Sequence, residues 1–323
     1  MKKAILFPFD KEVVLLSNFI NCQEYIICGV VVLESSNISV NDKINIPILD
    51  IDNADFETFD SIILLDKEYK GHPFIESNIK KGKSIVYAEK MEENDISQVD
   101  LISEEHKITV PVVFVAGTTP YTEKFHVQLA LRKRLIDDGY KVSQIGSKSY
   151  SNLFGFHSYP LFMNENIDNT QKIVLFRKYV KYIEMQEQPE LIIIGIPGGI
   201  MAVNRKHHFD FGMTAYMISQ AVEPDYVIMN MLYSKDYTVE QLEEIRQVCR
   251  FRLNFEIDSF HISNALLDPA TLKSERLKFI KMGKKQYNDK VKDLYDFLDC
   301  ADMDKAYEAM LKKLSSYNVN QIF

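Results

Sequence analysis

The sequence has no tryptophan, no basic excess, no closely paired cysteines and no long uninterrupted apolar run. Each absence removes a class of protein. With 38 Lys and Arg against 46 Asp and Glu, the formal net charge is −8. No cationic surplus is left to displace counterions from a nucleic-acid backbone, so a general nucleic-acid partner is excluded. The four cysteines, Cys22, Cys28, Cys249 and Cys300, lack the two-residue spacing of a zinc knuckle or redox motif. They are too sparse for a secreted disulfide framework and read as reduced, mostly buried thiols. The longest apolar stretch, Leu191 to Val203, is broken by Pro197, Gly198 and Gly199 and is too short to span a bilayer. The opening MKKAILFPFDKEVV has too short an apolar run for a signal peptide. These features predict a cytoplasmic protein with no membrane partner.

What is present fits a soluble globular chain. Its 323 residues, 46% hydrophobic and 26% charged, suffice for two domains with two cores. Residues 1–105 alternate strand and helix signals. AILFPF reads as a strand, Asp10 as the N-cap of a helix over KEVVLLSNFI, and YIICGVVVL and SIILLD as strands buried on both faces. HPFIESNIKKGKSIVYAEK predicts a helix stopped at Gly82, then a strand over Ser84 to Ala88. This is a small Rossmann-like α/β domain, but it has no Gly-x-Gly-x-x-Gly fingerprint for a dinucleotide.

A polar stretch, MEENDISQVDLISEEHK, marks the boundary, and residues 106–323 begin a second α/β series. ITVPVVFVAG is a strand; Lys124 to Asp138 is a helix with apolar Phe125, Val127, Leu129, Leu131 and Leu135, closed by Gly139. YKVSQIG, LIIIGIP, DYVIMNM and IDSFHIS supply further strands, FGMTAYMISQAV a helix, and the last 85 residues are mostly helical. Such alternation implies a doubly wound parallel sheet.

Between the first strand and helix of this domain runs GTTPYTEK, Gly117 to Lys124. A phosphate loop works through backbone N–H groups converging on an anion at a helix N-terminus, with a lysine adding charge and a following hydroxyl ligating magnesium. Here Gly117 and Lys124 are seven apart, one longer than in the Gly-x-x-x-x-Gly-Lys pattern. Thr118, Thr119 and Thr122 offer hydroxyls. Glu123 stands where the glycine is expected and Phe125 where the magnesium ligand is expected. The Glu123 carboxylate can repel a phosphate, serve as a base, or neutralise Lys124.

GTTPYTEKFHVQLALRKRLIDDGYKVSQIGSKSYSNLFGFHSYPLFM, PELIIIGIPGGIM and FGMTAYMISQAVEPDYVIMNMLY resemble the peptide maturation system proteins. Members of that family accompany radical-SAM enzymes and small precursor peptides in clusters for ribosomally made natural products. The resemblance covers most of residues 1–260 and is strongest over 113–233. More distantly, the same stretch is similar to a P-loop-fold family that includes D-glutamate N-acyltransferases. Its loop of Gly-Thr-Asp, four residues and Lys matches Gly117, Thr118 and Lys124. Its Asp is Thr119 here, its pre-lysine glycine Glu123, its later hydroxyl His126, and its strand-end acidic residue Gly195. Magnesium therefore has no evident protein ligands and no metal site is expected. The resemblance implies a tailoring or accessory role in peptide maturation, with ATP or coenzyme A as candidate cofactor for group transfer. A scaffold binding the precursor peptide or its radical-SAM maturase is the alternative.

Three other stretches carry candidate chemistry. GSKSYSNLFGFHSYP follows a strand end and contains His157, a candidate general base or an ordinary hydrogen-bonded loop histidine. In IPGGIM, Gly198 and Gly199 allow close approach of an anion, or serve only a tight turn. In NRKHHFDFG, adjacent His207 and His208 point apart, which suits a solvated loop better than a metal; Arg205 and Lys206 can clamp an acidic ligand. The apolar run YMISQAVEPDYVIMNMLY suggests a surface for homodimerisation.

Overall fold

The structure, a computed structural model, describes residues 1–9, 13–14, 16–22, 24–33, 46–51, 58–88 and 107–320. The helix expected from Asp10 lies partly outside these residues, as does the polar stretch read as a domain boundary. By their contacts the residues form two compact units: Met1–Asn94 with Lys148–Leu161, and Asp95–Ser147 with Phe162–Phe323. Residues 148–161, expected in the second domain by chain continuity, pack with the first. Asn152 donates to the Ala88 carbonyl at 3.1 Å, and the Asn21 N–H donates to Leu153 at 2.9 Å. These bonds bind the segment to that unit through backbone groups that a loop would otherwise leave to water.

The first unit is a Rossmann-like α/β fold. Strands β1 (Lys2–Phe7), β2 (Tyr25–Val32), β3 (Ile48–Asp50), β4 (Ser61–Leu64) and β5 (Ser84–Tyr87) form one parallel sheet in the order β3-β2-β1-β4-β5. Helix α1 (Pro73–Lys80) connects β4 to β5 and stops before Gly82, whose φ of 80° is the left-handed C-terminal position glycine favours.

The second unit is P-loop-like. Strands β6 (Val112–Gly117), β7 (Val142–Ile145), β8 (Leu191–Gly195), β9 (Tyr226–Met231) and β10 (Ser259–Ile262) pair in parallel in the order β10-β9-β6-β8-β7. Helices α2 (Lys124–Asp137), α3 (Asn169–Glu187) and α4 (Met213–Ala221) make the crossovers, and α5 (Val239–Val248) follows β9. Every residue of β6 is buried, as a central parallel strand covered on both faces requires. Val127, Leu131 and Leu135 of α2 pack with Val113, Val115, Ile193 and Ile228 of the sheet. Burying such side chains stabilises by roughly 1.5–3 kcal/mol each, which fixes α2, and with it Lys124, against the sheet.

The C-terminal region departs from the expected helical reading at one place. A short antiparallel hairpin, β11 (Ala265–Leu267) and β12 (Phe279–Lys281), precedes α6 (Lys284–Phe297) and α7 (Met303–Asn320). Two strands of three residues give too little alternation to register as strands in the sequence. The run that suggested a dimer surface is largely internal: Met217, Ile218, Val222, Tyr226 and Met229 are all buried within the chain. No helix of the described residues is long and apolar enough to cross a membrane.

Candidate functional site

Parallel pairing places the carboxyl ends of β6, β7 and β8 on one side of the sheet. The loop leaving β6 must turn back at once. A Cβ on Gly117 would lie 2.3 Å from Thr122 Oγ1 and 3.0 Å from the Thr119 carbonyl, so only glycine lets the loop close. Thr118 donates its N–H to the Asn230 carbonyl at 2.9 Å, and the buried Thr122 hydroxyl donates to the Thr119 carbonyl at 3.3 Å. The Thr119 hydroxyl is turned onto the Pro120 carbonyl at 3.1 Å.

Tyr121 and Glu123 then adopt left-handed φ values of 64° and 56°, with Thr122 between them on the ordinary side. Alternating hands along consecutive residues tips successive N–H groups into one concavity, the arrangement that binds anions in phosphate loops. Among the described residues, no protein acceptor takes the N–H of Tyr121, Thr122 or Glu123. The concavity opens at the N-terminus of α2, whose dipole favours negative charge.

Lys124, the first residue of α2, is buried and donates its ammonium to the Gly198 carbonyl at 2.7 Å. The turn after β8 is stitched to the loop elsewhere too. Ile200 donates to the Gly117 carbonyl and Met201 to the Thr118 carbonyl, each at 3.0 Å. A Cβ on Gly199 would come 2.6 Å from Thr119 Cα, so glycine there is needed for two backbones to touch. Gly198 takes φ 70° and turns the chain. Beside Gly146, Ser147 exchanges bonds with Gln128 of α2, at 3.0 Å to its hydroxyl and 3.3 Å from its N–H. The Gly117 and Gly198 turns are thus bonded to each other, Lys124 is bonded to Gly198, and the Gly146 turn is tied to α2 through Ser147 and Gln128.

The Glu123 carboxylate is engaged by β12 and by the residue before β11. It accepts the Asn264 N–H at 3.0 Å and the Lys281 ammonium at 2.8 Å. The Asn264 side-chain nitrogen, oriented to satisfy both groups, reaches both carboxylate oxygens at 2.8 Å. Tyr121 stacks on Phe279 with ring centroids 4.5 Å apart. Both left-handed residues of the loop are therefore held by the β11–β12 hairpin and its approach.

The magnesium positions are filled by other chemistry. Phe125 is buried in the core. At Gly195 a Cβ would stand 2.0 Å from Gln128 Oε1, so the Gln128 amide occupies the space an acidic side chain would need. Among the described residues, no group of three His, Cys, Asp or Glu is placed to hold a metal. In the NRKHHFDFG loop, His207 bonds the Ser274 carbonyl at 3.1 Å, Lys206 pairs with Glu275 at 2.5 Å, and His208 stacks on Phe211. His157 is half-buried in the segment that packs with the first unit.

Sequence reasoning missed Lys281, Asn264 and Asn230. Asn230 is fully buried in an apolar strand; its Nδ2 donates to the Ala116 carbonyl at 2.8 Å, and its carbonyl anchors Thr118. A lone polar residue in YVIMNM was a legible signal, since a buried amide must find partners. Lys281 had no local signal.

No protein-family model matches the sequence, and no curated protein matches it. Among solved structures, a DUF1611 family protein from Anabaena variabilis is similar over 98% of this chain and 100% of its own, with TM-score 0.63 and 11% identity. The MinD cell division protein of Aquifex aeolicus is similar over 66% of this chain and 99% of its own, at 12% identity, but with a TM-score of only 0.34. An apo McdA from Cyanthece scores 0.35 over 64% of this chain and 100% of its own, at 11% identity. The first likeness concerns fold across the whole chain; the other two scores are too low to support an argument. The fold and the loop together define a P-loop-like α/β protein.

Proposed function

We propose that the loop Gly117–Lys124 holds the phosphate groups of a small molecule, a nucleotide or an acyl-coenzyme A, without a protein-bound magnesium ion. The observation that carries this reading is the alternating-hand turn Tyr121–Thr122–Glu123 at the N-terminus of α2, with Lys124 beside it and the Glu123 charge compensated by Lys281. Thr118, Thr119 and Thr122 line the loop, and Gly198 and Gly199 bring the β8 turn against it. ATP hydrolysis is not part of the reading, because Phe125 and Gly195 cannot ligate the metal that would neutralise developing charge.

The setting we propose, an accessory or tailoring protein of a peptide maturation system, is supported by the sequence resemblance alone. His157, the candidate base in the sequence, packs with the first unit while the loop belongs to the second, so this reading assigns it no part in the phosphate site. Glu123, bound by Lys281 and Asn264, is better suited to holding the loop. A homodimer belongs to the same proposal but gains no support from the run YMISQAVEPDYVIMNMLY, which is largely buried. Titration calorimetry with ATP, GTP and an acyl-coenzyme A, and separately with a precursor peptide, tests the reading. Binding of a phosphate compound that Lys124→Ala abolishes supports it. Binding of peptide alone favours a scaffold that presents the peptide to a radical-SAM maturase.

A further inference from the structure

Glutamate and tyrosine are poor residues for left-handed backbone, where a side chain crowds the following carbonyl; each such residue costs about 1–2 kcal/mol. A phosphate loop with glycine at the position before its lysine avoids this cost. Here the loop keeps the left-handed shape at Tyr121 and Glu123 without glycine at either. Something outside the loop must hold it.

Among the described residues, the side-chain partners of Tyr121 and Glu123 come from one direction. The Glu123 carboxylate, with its side chain 15% exposed, is bound by Lys281 of β12 and by the backbone of Asn264 just before β11. Tyr121 lies stacked on Phe279, two residues before Lys281 on the same strand. Asn264 is itself fixed, since its carbonyl accepts the Met282 N–H at 2.8 Å and closes the base of the hairpin. Strand β12 thus holds both left-handed residues, and β11 is paired to it.

We propose that the β11–β12 hairpin is a clamp that imposes the anion-binding shape on the loop, with Glu123 and Lys281 as positioning residues rather than ligands. Glu123 takes over by side-chain attachment what glycine provides by conformational freedom. This rests on the phosphate-site reading above. It adds that the affinity of the site is set from a hairpin whose Lys281 is 158 residues distant in sequence from Glu123.

The test is a double-substitution cycle read by calorimetry with ATP and inorganic pyrophosphate on the full chain, with thermal melts confirming that each variant folds. Lys281→Ala removes the ion pair from Glu123, leaving Asn264 as its hold, and should weaken binding up to about tenfold as the left-handed residue is loosened. Glu123→Gly introduced into the Lys281→Ala protein should restore that loss, because glycine takes positive φ unaided. No loss in Lys281→Ala overturns the clamp. So does a loss that Glu123→Gly does not rescue, since Lys281 would then be touching the ligand. Failure of the underlying reading looks different: the wild-type protein would bind neither probe.

Discussion

Lys124 donates its ammonium to the carbonyl of Gly198 at 2.7 Å, across 74 residues of sequence. The bond joins the helix that ends the Gly117–Lys124 loop to the turn that follows β8. A bound phosphate would compete for the same ammonium with a full negative charge instead of a carbonyl dipole. Lys124→Ala should therefore weaken a phosphate-bearing ligand by about 1.5–3 kcal/mol, roughly ten- to hundredfold, as for loss of a charge-assisted hydrogen bond. Calorimetry with ATP and an acyl-coenzyme A on wild type and variant checks this; equal affinities would remove Lys124 from the site.

Magnesium should matter little. Phe125 replaces the hydroxyl that would ligate it, and Gln128 fills the space beside Gly195. Affinity for an acyl-coenzyme A should be the same within about twofold in EDTA and in excess magnesium. For ATP, which carries its own magnesium, the comparison reports on the nucleotide as well, so coenzyme A is the cleaner probe. A tenfold gain in coenzyme A affinity on adding magnesium would contradict the assignment of these positions.

Gly195 makes a stability prediction. Gly195→Asp places a carboxylate at the end of β8, but its Cβ would sit 2.0 Å from Gln128 Oε1. Gln128 would have to give up its bonds to Ser147. Overpacking together with broken buried bonds should destabilise the protein by about 1–3 kcal/mol, read by denaturant unfolding. Adding Gln128→Ala should recover part of the loss. An undisturbed Gly195→Asp protein would mean that Gln128 has a second place to go.

The strand, loop and helix around Gly117 were legible in the sequence because their signals are local. Val112 to Ala116 form an apolar run, Gly117 permits the turn, and α2 shows its buried positions and a glycine just past its end. The hairpin clamp was not legible. Its strands are three residues long, and Lys281 meets Glu123 only after the chain has crossed the sheet several times. The same holds for residues 148–161, which follow β7 in sequence but pack with the first unit through bonds from Asn152 and to Leu153. Glu123 read in isolation suggested a charge hostile to phosphate. Its meaning changed with a partner that no spacing rule could supply.

His261 gives the chain a stability term that depends on pH. It is the third residue of β10, opposite Asn230 in register, and its Nδ1 is buried with no hydrogen-bond partner among the described residues. Burial is the main influence on the ring and lowers its pKa from 6.5 to about 4, against the opposing pull of the Ala301 backbone, Glu123 and Asp302; His126 adds to the lowering. The unfolded chain therefore takes up a proton at His261 below pH 6.5 that the folded chain refuses until about pH 4. Within that window the unfolded state binds more protons, so stability falls as pH falls, and it is fully regained above the upper limit. Denaturant unfolding at pH 7.0 and pH 5.0 should show a larger loss for wild type than for His261→Leu, which cannot titrate; these pH values bracket roughly the upper part of the window. The comparison is between slopes, so any constant cost of replacing the ring stacked on Tyr295 cancels. Identical losses in the two proteins would show that His261 keeps its ordinary titration in the folded state, or that another group sets the acid response.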